Sequence, residues 1–550
     1  MKTIKTLFVP LLLALSVFSC SKLDIAPRGE LTDKETAYKN NTIRNQILAG
    51  IYAYLYHENT WGAFISIRME AATDVAISRN KSAGSVENNS HTASTLNDTW
   101  SVLYQAINAA NEFIYYANRW VDPETCRQEV CEARFLRAYF YFTLVRMFGD
   151  VPFRTEPTLD LNHTDIARTS AVEIYDFIIR ELGEIQGIMA QPGEVAYGHV
   201  ANTAAQTALA DVYLNLGGCL MKDRLPADST SVLMHQRAAY WCKKVLENPA
   251  HDISKTDYIT VFMNAVRQVP NLNEQIWELQ TKYQRDETGY NVDSRLGKYN
   301  GIGGVNNEEY GADAWIFQSA LLRDLYAKFD EHDLETDQRA IWNCTTYKLT
   351  NKTKFNAPDT VAVTTSPDNV FQFYPGKWRT VYANTRSECA QKSYSGARLS
   401  MYRIAEVHLM LAEALNAGYD DQAGAIEQIN IVRRRAKASL VPTSQAMSRD
   451  DVFNLVVDER ARELCFEGKR RFDLIRWGLY GQKLAELEPF YRNAYSGGGY
   501  NWVQDKIALF DNFNPEVHCI MPIPQAEISR NALIPQSEQN EGWGGSRKWK

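Results

Sequence analysis

Lysine and arginine never gather into a dense block in this 550-residue chain, and 66 acidic residues outnumber 59 basic ones for a formal charge of −7. Without a basic stripe there is nothing to track a phosphate backbone, which argues against nucleic acid as a partner. Beyond residue 20 no apolar run approaches the roughly 20 residues a helix needs to cross a bilayer. H-E-x-x-H, G-x-S-x-G and the Walker A pattern are all missing. The nine histidines are dispersed without metal-ligand spacing, so no metal and no cofactor is expected. "GIGGVN" (301–306) lacks both the third glycine and the preceding strand of a dinucleotide fingerprint and reads as a flexible loop. No cysteine pair has C-x-x-C spacing. Cysteines 126, 131, 219, 242, 344, 389, 465 and 519 are scattered through a chain with ample core and read mostly as free, buried thiols. Absence of motif does not test a glycosidase, which needs only two suitably spaced carboxylates.

What is there begins with the first 33 residues. Lys2 and Lys5 precede an apolar run, Leu7–Val17, interrupted only by Pro10 and Ser16. As a helix that run rises about 16 Å, about half of a bilayer core, and so reads as the apolar part of an export signal. Ser19 precedes Cys20, and the polar "SKLDIAPRGELTD" follows. Residues 1–19 are therefore expected to be a signal peptide and Cys20 a lipidation site, anchoring the chain by acyl groups. A plain secretory signal is the alternative, and Phe18 is bulky for a lipoprotein signal.

Helical periodicity dominates the remainder. "EARFLRAYFYFTLVRMFGDVPF" (132–153) is apolar on nearly every face from Phe135 to Phe148, as in a helix sandwiched between others. In "ANTAAQTALADVYLNLGG" a small-residue stripe, Ala204, Ala208, Val212 and Leu216, precedes the stop signals Gly217 and Gly218. "RIAEVHLMLAEALNAG" with "QAGAIEQINIVRRRA", and "VFNLVVDERARELCFEG" with "KRRFDLIRWG", complete four hairpins of tetratricopeptide type at irregular spacing. The fold class is thus mainly α, a hairpin scaffold with a large, irregular, loop-rich insertion region. "YKLTNKTKFN" and "DTVAVTT" predict short strands there.

Six segments, in order, resemble the SusD/RagB family of outer-membrane lipoproteins of Bacteroidota. They are "CSKLDIAPRGELTD", "DTWSVLYQAINAANEFI" (98–114), the 132–153 segment, "RIAEVHLMLAEALNAG" (403–418), "DERARELCFEGKRRFDLIRWG" (458–478) and "IMPIPQAEISRN" (520–531). The resemblance spans the chain and implies one SusD-like body over 20–550. Its repeat helices would lie near 100–150, 170–250 and 400–480, and its ligand loops near 60–100 and 277–400. It further implies a non-enzymatic, cell-surface protein that binds nutrient oligosaccharide and delivers it to a SusC-like TonB-dependent transporter. Peptide or glycopeptide import, as in RagB-like members, is one alternative; a surface glycan hydrolase or esterase is another.

Two constellations carry chemistry. Glu459, Glu463 and Glu467 stand four apart and repel one another unless arginines such as Arg403 or Arg433–Arg435 face them. A structural ion-pair network is the expectation, with Asp458–Arg462 and Glu467–Arg471 as i,i+4 pairs. Twelve Trp and 29 Tyr make the chain rich in flat, amphipathic rings. Trp61, Trp277, Tyr283, Tyr290, Tyr299, Tyr310, Trp315 and Trp378 lie outside the hairpins. Rings stack on sugars while fixed polar groups bond the hydroxyls. The expected ligand-binding residues are Arg79, Asn80, Asn97, Trp100, Tyr283, Tyr290, Tyr310 and Trp315, with Tyr104 read as core.

Overall fold

The computed structural model describes residues 33–78, 84–160, 164–281, 293–304, 315–363, 373–383, 394–443, 446–496 and 501–548. The signal segment, Cys20, Arg79, Asn80, Tyr283, Tyr290, Tyr310 and Cys389 lie outside the described residues.

Asn40 caps helix α1 (Asn41–Tyr56) by accepting from the Ile43 amide. Helices α2 (Asn97–Trp120) and α3 (Pro123–Phe148) follow across a tight connection, where Asp122 caps and Pro123 opens α3. Gly149, at φ +73°, ends α3 in a conformation that L side chains resist. Next come α4 (Ala171–Ile185), α5 (Asn202–Gly217) and α6 (Ser231–Leu246). After a long excursion the series resumes with α7 (Ile404–Tyr419), α8 (Gln422–Arg435), α9 (Arg449–Leu464) and α10 (Arg470–Arg476). The C-terminal part adds α11 (Tyr480–Ser496), α12 (Asn501–Asp511) and the short α13 (Gln525–Arg530).

From α1 to α6 each helix packs on its predecessor, and α6 packs on α7 across the excursion. The all-round apolar stretch of α3 is buried as expected: Phe135, Leu136, Ala138, Phe140, Tyr141, Leu144 and Phe148 are each 0% exposed. Each large side chain among them contributes about 1.5–3 kcal/mol by leaving water. Glycine sets how close α6 lies to its neighbours. A Cβ on Gly217 would sit 2.8 Å from the His235 ring, and one on Gly418 would sit 2.9 Å from the Gln236 amide.

The excursion leaves and returns through one two-stranded antiparallel clasp, Gln275–Leu279 against Leu399–Arg403, with Leu399 opposite Leu279. Inside it, Tyr347–Leu349 pairs antiparallel with Thr360–Ala362, the short strands read from the sequence. Ile316–Gln318 pairs with Ala76–Ser78, joining the excursion to the loop after α1. The glycines at 301, 303 and 304 allow close packing. A Cβ on Gly303 would lie 2.5 Å from the Tyr374 ring, and one on Gly304 would lie 2.4 Å from the Leu349 carbonyl oxygen.

The glutamate row is neutralised from several elements. Glu459 meets Arg339 at 2.6 Å and Arg433 and Arg462 at 2.9 Å. Glu463 meets Arg403 and Arg435, each at 2.5 Å, and Glu467 meets Lys377 at 2.6 Å and Arg403 at 2.8 Å. All are buried. These cations outweigh the burial that opposes charge and hold Glu459 and Glu463 below the usual carboxylate range, and Glu467 at about 2. The i,i+4 pairs do not form. Asp458 goes to Lys328 at 2.6 Å. The helix ends at Leu464, and Phe466 and Gly468, at φ +67° and +74°, turn the chain before the next helix opens at Arg470, so Glu467 and Arg471 do not share a helix face. Arg471 is instead held by backbone carbonyls of Val86 and His518, each at 3.4 Å, and packs against the Tyr480 ring.

Among the described residues no helix is long and apolar enough to cross a membrane. Among the described residues cysteines 126, 131, 219, 242, 344 and 465 are free thiols; 126, 131, 242 and 465 are buried, whereas Cys219 is exposed.

Candidate functional site

Trp315 stands just before the strand Ile316–Gln318, and its amide donates to the Tyr299 carbonyl oxygen at 2.8 Å. That bond lays the half-buried indole flat on the Tyr299 ring, with centroids 4.0 Å apart and planes 6° from parallel. The loop beneath is shaped by Gly297, at φ +72°, whose amide donates to the Asn300 carboxamide at 2.8 Å. Ser294 and Ser395 exchange backbone hydrogen bonds of 2.9 and 2.8 Å and bring Tyr394 alongside. The Arg295 guanidinium lies 3.7 Å from the Tyr394 ring centroid and 5.5 Å from that of Tyr299. It also pairs at 2.8 Å with Glu58, an exposed carboxylate just beyond α1. The result is a stacked ring pair beside an oriented cation and a carboxylate at the loop edge. Tyr299 is buried, so it is the half-buried indole of Trp315 that can stack on a flat, apolar face while the polar groups bond hydroxyls around it. Arg79 and Asn80 follow Ser78, which pairs with Ile316, the residue after Trp315.

Asn97 and Trp100 lie elsewhere, and they do not join Trp315 in one platform among the described residues. Trp100 is 5% exposed; its ring meets Phe148 edge-on at 5.0 Å and its Nε1 donates to Glu527 at 3.3 Å. The Asn97 carboxamide oxygen accepts from the Ala526 amide at 3.2 Å. Both line a groove of about 600 Å³ between one face of α2, the segment from Pro152 to Thr158, and residues 524–531. Tyr104 also lines it, half-buried, its hydroxyl donating to the Pro152 carbonyl at 2.7 Å.

Several rings outside the hairpins are core. Trp61, Trp277, Tyr299 and Trp378 are 6%, 2%, 8% and 1% exposed. Trp277 meets Phe135 and Tyr139 edge-on, each at 5.0 Å, and Trp378 Nε1 donates to the Arg398 carbonyl at 3.2 Å. Sequence reasoning missed Glu58, Arg295 and Tyr394. The run "SRLGKYN" (294–300), an arginine four residues before a tyrosine around a turn glycine, was the available signal. Among the described residues no group of three His, Cys, Asp or Glu side chains is placed to hold a metal ion.

A half-buried tryptophan laid on a buried tyrosine at the edge of a helical scaffold is the arrangement the geometry gives, and comparison with known proteins gives the chain a family. Residues 273–543 match the model of the SusD family, and residues 23–214 match that of a family described as starch-binding and associating with the outer membrane. The chain belongs to the SusD/RagB family. It is 27% identical over 564 residues to SusD-like protein P2 of Formosa agariphila, covering 98% of this chain and 99% of that one. With the starch-binding protein SusD of Bacteroides thetaiotaomicron it shares 23% identity over 466 residues, covering 79% and 76%. Among solved structures, a SusD homolog from Bacteroides thetaiotaomicron superposes with TM-score 0.79 at 22% identity, covering 91% of this chain and 97% of that one. A laminarin-binding SusD-like protein superposes with TM-score 0.64 at 20% identity, covering 89% and 98%.

Proposed function

We propose that the protein is a non-catalytic, cell-surface lipoprotein that captures a nutrient oligosaccharide and passes it to a SusC-like TonB-dependent transporter. Acyl groups on Cys20 hold it to the outer membrane, and no cofactor takes part. The observation that carries this reading is the coplanar Trp315–Tyr299 stack with Arg295 beside it. Relatives named for binding starch or laminarin support a glycan as the ligand class. Arg79, with five donors in a planar fork, and Asn80 extend the same site in this reading, as do Tyr283, Tyr290 and Tyr310.

Affinity electrophoresis through gels containing a polysaccharide panel tests the reading, run beside an assay for newly released reducing ends. Retardation without release is expected, and release of reducing ends overturns the non-catalytic reading. By analogy with base stacking, losing one stacking ring costs about 1–3 kcal/mol, or roughly 5- to 150-fold in affinity. Trp315→Ala, with folding checked by circular dichroism, should show a loss in that range. Wild-type affinity in both Trp315→Ala and Arg295→Ala would move the site elsewhere.

A further inference from the structure

The groove along α2 is long. Asn97, Ser101, Gln105, Asn108 and Glu112 line it at spacings of three and four, hence on one helix face. From Asn97 to Glu112 that face runs about 22 Å. This face of α2 is neither packed away nor open to bulk water on all sides. It is walled by residues that the helix itself fixes: the Asn108 carboxamide oxygen accepts from the Thr158 amide at 2.9 Å, and Asn111 donates to the Arg154 carbonyl at 3.1 Å.

We propose that this groove is a second glycan-binding stretch, engaging chains long enough to extend beyond the Trp315 site. The proposal rests on the glycan reading above. Its charged lining balances, Arg154 and Arg530 against Glu112 and Glu527, which suits an uncharged ligand over a phosphorylated or sulfated one. Carboxamides and hydroxyls supply most of the remaining polar lining, the groups that bond sugar hydroxyls in both directions. Half-buried Tyr104, backed by the buried Trp100 ring at 4.9 Å, gives the floor an apolar edge for sugar C–H groups. The two sites are neighbours in the chain: Tyr54 lines the groove, and Glu58, four residues on, pairs with Arg295. Four residues span at most about 14 Å.

The test is calorimetry on the full mature chain with oligosaccharides of increasing length from laminarin, soluble starch and xylan. Ser101 is exposed on the groove face, so Ser101→Trp fills the groove without touching the core. Affinity should rise with chain length past the shortest binder. Ser101→Trp should weaken the long chains by about fivefold or more, spare the shortest, and Ser101→Ala should change neither. If short chains bind normally and Ser101→Trp binds every length as wild type does, the groove proposal fails alone. Failure of the wild type to bind any glycan overturns the glycan reading with it. A casein hydrolysate that binds wild type but not Ser101→Trp assigns the groove to peptide and overturns the proposal.

Discussion

Arg403→Ala removes a buried guanidinium that bonds three carboxylates, Glu274 at 3.0 Å, Glu463 at 2.5 Å and Glu467 at 2.8 Å. The network around it balances. Arg339, Arg403, Arg433, Arg435, Arg462 and Lys377 face Glu274, Glu459, Glu463, Glu467, Asp333 and Asp337. Deleting one cation leaves one buried negative charge in excess. Holding Glu467 at about 2 rather than 4.5 corresponds to about 3 kcal/mol, and breaking a buried pair costs about 3–5 kcal/mol. Urea denaturation followed by tryptophan fluorescence at pH 7 should therefore register a loss of about 3 kcal/mol or more. The sign with pH follows from the depressed pKa. The stabilisation is present above 4.5 and is lost as pH falls toward 2. Without Arg403, Glu467 titrates at higher pH, so acid unfolding of the variant should begin earlier. Adding Glu467→Gln should restore part of the loss, because it removes the stranded charge. A loss under about 1 kcal/mol, the worth of a surface pair, would refute the claim that this network is buried and mutually dependent.

Other outcomes follow from burial and chemistry elsewhere. Ala138 is 0% exposed in α3, so Ala138→Asp should cost about 3–5 kcal/mol; a thermal midpoint within about a degree of wild type would place α3 at the periphery. His91 is buried with neither ring nitrogen hydrogen-bonded and packs on His518 at 5.3 Å. Burial and Arg471 hold His91 well below its usual value and His518 at about 4. His518's contribution is present above pH 6.5 and lost as pH falls through about 4, and that of His91 is likewise lost as pH falls below 6.5, so His91→Phe should flatten the stability–pH curve on the acid side of 6.5. An unchanged slope in that variant counts against it. Cys20→Ala should abolish palmitate labelling and release the protein from membranes, whereas persistent labelling would exclude Cys20 as the anchor. Mild-detergent extraction should co-purify a TonB-dependent transporter, and recovery as a free monomer would count against the partnership.

The scaffold was legible where its signals are local. The all-round apolar run of α3, the stop at Gly149 and the paired strands at 347–349 and 360–362 are set by neighbours in sequence. The glutamate row was legible too, since three acids on one stripe demand cations and Arg403, Arg433 and Arg435 supply them. Its other cations, Arg339 and Lys377, come from the excursion and left no spacing to read. The Glu467–Arg471 expectation failed on two positive-φ residues, one of them Phe466, whose side chain gives no hint of that conformation. Rings are the hardest to sort. Trp315 at the loop edge and Trp378 in the core sit in similar sequence surroundings, and only long-range contacts, such as Trp378 with Arg398, separate them.

The clasp between Gln275–Leu279 and Leu399–Arg403 delivers the excursion's two ends side by side, about 5 Å apart. Arg339 and Lys377, from within it, grip the same glutamate row that Arg403 holds from the clasp itself. A stretch moored at both ends and at two interior points can change length between moorings cheaply, since doubling a loop costs only about 0.6 kcal/mol. Mutation between those moorings can therefore retool what the surface recognises while the helices beneath go on folding undisturbed.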